Sequence, residues 1–134
     1  MALQDSKRNK DTGTAVERYI KSFKHAVDGI GYAIKYEHNM IIIFIMMVLV
    51  TIMGFVFNIS CSEWLFVVFV CGMIAMCEMI NTAIEATIDL ITTDINPLAK
   101  IAKDTASSAT LILCITALIG GLIIFIPKIM EMFF

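Results

Sequence analysis

Three stretches of this chain carry no charged residue: Met40 to Phe57, Trp64 to Cys77 and Ala106 to Ile126. They run for 18, 14 and 21 residues, close to the roughly 20 apolar residues a helix needs to cross a bilayer. Across the whole chain 59% of residues are hydrophobic and 16% charged, far from the soluble balance. Three such runs exceed what the helices of a soluble core require. The 134 residues read as an all-α integral membrane protein with three transmembrane helices, at about 40–57, 64–91 and 98–126.

The middle run is too short on its uncharged part, so its helix must continue through Glu78, Asn81, Glu85 and Asp89 to about Ile91. At about 100° per residue those four side chains fall within an arc of roughly 80°. Three acids on one helix face repel one another and lose hydration unless something positive lies among them. The segment Thr92 to Pro97 then reads as a helix stop and turn, with Pro97 suited to the start of the next helix. That helix puts Lys100, Lys103, Asp104 and Ser107 within roughly 100°. An acid-rich face and a lysine-bearing face, joined by a short turn, are expected to meet.

Residues 1–13 are polar and expected to be flexible, leaving 14–134 as one membrane domain. From Thr14 the apolar positions Val16, Tyr19, Ile20, Phe23, Val27, Ile30, Ala33 and Ile34 recur at steps of three and four, flanked by Arg18, Lys21, Lys24 and Lys35. Such a helix lies in the membrane surface rather than across it. Glu37 stands just before the first span. The first apolar run is too long and too late for a signal peptide, so no cleavage is expected. Seven of the ten Lys and Arg precede the first span, two lie in the 90–105 connection, and the 58–63 turn has none. That bias orients the N-terminus and the second connection to the cytoplasm, with the 58–63 turn and the C-terminus outside. The acidic face then lies where nucleotides are available.

Several chemistries find no support. A net charge of −2 carries no nucleic-acid signature. Cys61, Cys71, Cys77 and Cys114 lack the spacing of zinc or redox pairs and read as small hydrophobes. The triplet Asn58-Ile59-Ser60 fits a glycosylation sequon, but a turn so close to the membrane is a poor acceptor. No phosphate-binding glycine loop or protein-kinase signature occurs. Carboxylates at a membrane boundary can be a solvated helix end, an ion pathway or a divalent-cation site. Glu78 follows 14 uncharged residues, and an ionisable group at such depth is a functional candidate. Ion transport favours repeated topology and acids at the bilayer middle, which three short spans do not offer. Magnesium is held by one or two carboxylates together with substrate phosphates. The residues therefore point to magnesium-dependent phosphoryl transfer at the membrane surface, with a small structural membrane protein as the alternative.

The string EMINTAIEATID, from Glu78 to Asp89, followed by Ala102, Lys103, Asp104 and Ser107, resembles the prokaryotic diacylglycerol kinase family. That family includes the undecaprenol kinases of Gram-positive bacteria. Gly29, Ile30, Ala33 and Glu37 match its surface-helix element, and the resemblance covers roughly residues 15–126. It implies a homotrimer in the bacterial cell membrane whose interfacial sites, shared between neighbouring chains, transfer the ATP γ-phosphate to a lipid hydroxyl. By motif, Glu78 corresponds to the catalytic base, and Glu37 and Glu85 to magnesium and nucleotide ligands. Lys103 and Asp104 correspond to the pair holding the nucleotide, with Asp94, Ile95 and Asn96 in the adjoining turn and Arg18 a weaker match. Asn81 and Asp89 take supporting positions, and Ser107 lines the acceptor path. Ser108 departs from the glycine common in Gram-positive members, and His25 reads as a polar-face residue. The stretch from Asn96 to Asp104 is more similar to the Gram-positive branch, which favours undecaprenol over diacylglycerol as acceptor. A non-catalytic membrane assembly protein is the rival of another class.

Overall fold

A computed structural model describes residues 14–133, folded into four α-helices; the segment 1–13 expected to be flexible lies outside them. The helices are α1 (Ala15–Tyr36), α2 (His38–Val56), α3 (Cys61–Ile91) and α4 (Pro97–Phe133). Helices α2 to α4 are long and apolar enough to cross a membrane, and most of their large apolar side chains are exposed. Apolar surface left open on that scale belongs against lipid or other apolar partners. The chain is a multi-pass membrane protein.

Two boundaries differ from the expected ones, the first for an identifiable reason. Helix α3 begins at Cys61 rather than Trp64 because Ser60 and Glu63 form a capping box. The Ser60 hydroxyl accepts from the Glu63 N–H, and the Glu63 carboxylate accepts from the Ser60 N–H at 2.6 Å. Two orphan donors are thereby satisfied three residues earlier than hydropathy suggests. Helix α4 continues past Ile126 through Pro127 to Phe133. Thr14 and Glu17 close a second capping box at the start of α1.

Helix α3 is the spine. It packs most extensively against α4, less so against α2, and touches α1. Among the described residues, the α2 and α4 backbones do not approach each other closely. At one end side chains of all three spans meet, where Ile59, Val67, Ile124 and Phe125 form a buried cluster with Val50, Met53, Phe57, Trp64, Phe66 and Cys71 around it. Gly54 allows this approach, since a Cβ there would stand 2.6 Å from the Trp64 ring. Lys128 and Glu63 pair at 3.3 Å across the same end. Asn58 turns the chain between α2 and α3 with φ of 47°, a left-handed conformation Asn tolerates better than most residues.

Helix α1 stops at Glu37, whose backbone is extended at φ −103° and ψ 112°. Of its residues only Ala33 is buried, against the bundle; Val16, Ile20, Phe23 and Val27 stay exposed.

Candidate active site

The buried residues of α3 are Val67, Val70, Ile74, Glu78, Asn81 and Thr82. Their steps of three and four define one helix stripe, apolar for its first turns and polar from Glu78 onward. Glu78 is therefore carried inward by the same register that buries Ile74. It is 2% exposed, the largest fully buried side chain among the described residues, and its Oε1 has no hydrogen-bond partner. Asn81 Oδ1 and Thr82 Oγ1 share that condition. Buried acceptors left unpaired cost stability, and such groups persist where a ligand is to satisfy them.

Because α2 and α4 part from each other here, a cleft of about 250 Å³ opens over Glu78. Helix α2 supplies Asn39, Ile42 and Ile43; helix α4 supplies Ser107, Thr110, Leu111 and Cys114. The floor is a carboxylate, the rim carries amide and hydroxyl groups, and the walls are apolar. A small hydroxyl on a greasy body matches that lining.

Around the cleft the expected residues divide. Asn81 donates from Nδ2 to Glu85 Oε1 at 3.0 Å, fixing a half-buried carboxylate one turn from Glu78. Glu37 makes no side-chain capping bond at the start of α2, so its half-buried carboxylate is not used in holding that helix. Lys103 reaches across from α4 to Asp89 on α3. Lys100 does not: it pairs with Asp104 on its own helix. The two faces thus meet through one lysine rather than two, because Lys100 finds a carboxylate one turn along. In the turn, Asp94 N–H donates to Thr92 Oγ1, and the Asn96 side-chain Oδ1 caps α4 by accepting from the Leu98 and Ala99 N–H groups. Ile95 is fully exposed. Arg18 lines a separate hollow with Ala15, Tyr19 and Ser22, away from the Glu78 cleft.

The carboxylates of Glu37, Glu78 and Glu85 and the amide oxygen of Asn81 are oxygen ligands, which suit a hard divalent ion such as magnesium. Unpartnered oxygens at Glu78 and Asn81 fit the same chemistry in kind. Among the described residues no three His, Cys, Asp or Glu converge on one point. A magnesium ion at Glu37 and Glu85 would therefore be completed by phosphate oxygens, by water or by groups outside this chain.

Residues 24–125 match the family described as prokaryotic diacylglycerol kinase. The chain belongs to that family. Among its relatives, an undecaprenol kinase of Bacillus subtilis is 39% identical over 121 residues, covering 90% of this chain and 98% of that one. A diacylglycerol kinase of Synechocystis is 27% identical over 124 residues, 92% of this chain and 71% of its own length. One of Helicobacter pylori is 46% identical, but over only 50 residues. These relatives are lipid kinases, phosphotransferases with an alcohol as acceptor, and this family member is an enzyme of that class. The resemblance first carried by EMINTAIEATID holds over most of the chain.

Two cleft residues of this diacylglycerol kinase family member escaped the reading of its sequence. Asn39 follows Glu37 by two positions, where nothing in the pattern marks it. Thr110 lies one helical step of three beyond Ser107. The polar stripe through Lys103 and Ser107 could have been extended to it.

Proposed function

We propose that the chain is an ATP-dependent kinase of a membrane lipid alcohol, with magnesium, and that its acceptor is undecaprenol, giving undecaprenyl phosphate. One observation carries this reading: a buried glutamate with an unpartnered oxygen at the floor of a cleft whose walls are apolar. The undecaprenol kinase relative supports the choice of acceptor. Helix α1 lies in the cytoplasmic surface of a bacterial cell membrane, with the N-terminus and the site on that side. The lysine bias supports this orientation. The working unit is a homotrimer, which the extensive apolar surface left open on α2 to α4 supports.

Glu78 accepts the proton of the lipid hydroxyl as its oxygen attacks the γ-phosphorus. Asn81 holds Glu85 in place, and Glu85 with Glu37 provides carboxylates for magnesium. Magnesium held there would offset the charge of the nucleotide phosphates. Lys103 exchanges Asp89 for a phosphate oxygen, with Asp104, Arg18 and the turn from Asp94 to Asn96 around the nucleotide. Ser107 lines the approach of the hydroxyl, and Ile42, Ile43 and Leu111 keep water from it.

Diacylglycerol is the second acceptor to consider, since it too presents a primary alcohol on a long apolar body and other relatives act under that name. The deciding experiment supplies γ-labelled ATP and magnesium to purified protein in detergent, with undecaprenol and diacylglycerol in separate reactions. Label in undecaprenol well above that in diacylglycerol is expected. The reverse preference would move the assignment to phosphatidic acid synthesis, and no label in either would leave a non-catalytic membrane assembly protein.

A further inference from the structure

Hydroxyls on apolar helices commonly donate to the carbonyl four residues back. Four side chains here do so: Thr51 to Met47, Thr87 to Ala83 and Ser108 to Asp104, each at 2.7 Å, and Thr116 to Ile112 at 3.0 Å. Thr110 does not. Its Oγ1 has no partner, and the residue is 8% exposed. Thr82 is also buried and unpartnered, but it does not line the cleft over Glu78, whereas Thr110 does.

We propose that the Thr110 hydroxyl binds the oxygen of the acceptor alcohol and positions it for attack. The proposal rests on the lipid kinase reading above and adds a residue to it. An attacking alcohol has one proton and two lone pairs on its oxygen. The O–H bond breaks toward Glu78 on α3, and one lone pair forms the new O–P bond as the bond from the γ-phosphorus to the β-bridging oxygen breaks and ADP leaves. The second lone pair accepts a hydrogen bond from Thr110 on α4. Two helices then grip one oxygen from two sides, and Thr110 itself undergoes no covalent change.

The surroundings favour an alcohol over a phosphate at this position. Thr110 is uncharged and shares its stretch of cleft with Ile43, Leu111 and Cys114. The phosphate-directed Lys103 lies seven residues back along α4, about 10 Å at 1.5 Å per residue. Ser107, between them, is exposed. The same helix therefore offers a charged end to the nucleotide and a buried, neutral hydroxyl to the acceptor.

Thr110→Val keeps the shape and removes the donor; Thr110→Ser keeps the donor. With the full chain in detergent, T110V is expected to lose about tenfold in kcat/KM for the lipid alcohol with the KM for Mg-ATP unchanged. Its unfolding temperature should equal or exceed the parent's, because a buried unpaired hydroxyl has been removed. T110S should recover most of the loss. Parent-like acceptor kinetics in T110V overturn the proposal, as does an equal loss in T110S or a change confined to the KM for Mg-ATP. Should T110V fail to fold, Thr110→Ala carries the same comparison. A parent protein that labels no lipid overturns the kinase reading and this proposal together; an active parent with an unaffected T110V overturns this proposal alone.

Discussion

Lys103 and Asp89 join α4 to α3 through a side-chain ion pair of 2.5 Å across fourteen residues of sequence. The two side chains are 34% and 61% exposed, so water and salt screen the pair. Its contribution to the fold is at most about 1 kcal/mol. A lysine held so lightly is available for exchange.

That availability sets the first expectation. Mg-ATP should stabilise the folded protein by about 2.7 kcal/mol at a hundredfold excess over its dissociation constant. Lys103→Ala should shrink this shift markedly while lowering the unliganded unfolding temperature only slightly. Thermal unfolding in detergent with and without Mg-ATP reads both quantities and needs no acceptor lipid. An undiminished shift in the variant would remove Lys103 from the nucleotide site.

Glu78→Gln should slow phosphoryl transfer by about 10²–10⁴-fold, since an amide of the same size takes no proton from the hydroxyl. Nucleotide binding should persist. The unfolding temperature should not fall, because Glu78 Oε1 makes no hydrogen bond that the variant could lose. Rate and melting temperature measured on one preparation separate a chemical role from a structural one. A variant both slow and unstable would speak for packing.

Glu37→Ala and Glu85→Ala should each raise the magnesium concentration required for half-maximal activity. Asn81→Ala should do so more mildly, by releasing Glu85 from its 3.0 Å bond. Magnesium titrations at fixed ATP test all three variants. Curves that overlay the parent's for both glutamates would show that neither is a ligand.

Much of this was legible before any coordinates, for physical reasons that differ by residue. Three uncharged runs announce three helices because hydrocarbon tolerates little else. Glu78 declares itself by breaking such a run, and Pro97 by opening α4. Hydropathy alone misses the first turn of α3, because Glu63 there is half of a capping box with Ser60 rather than a break in the helix. Lys100 and Lys103 share a helix face, and wheel geometry alone cannot say which of them crosses to α3. Thr110 passed unnoticed since threonine is unremarkable in an apolar helix until its hydroxyl is seen to lack the usual carbonyl.

Orientation has its own check. Cys61 is exposed at the start of α3, and its thiol is free. An impermeant thiol reagent applied to intact cells should modify Cys61 and should not reach a cysteine placed by Thr93→Cys. The opposite pattern would put the Glu78 cleft on the side away from ATP.

The knot of Ile59, Val67, Ile124 and Phe125 holds the three spans together at one end. From Gly54 in that knot to Asn39 at the cleft is fifteen residues, about 22 Å of rigid helix at 1.5 Å per residue. A Cβ at Gly54 would meet the Trp64 ring at 2.6 Å, so Gly54→Ala is expected to be felt at the cleft, transmitted along a helix too stiff to absorb the shift.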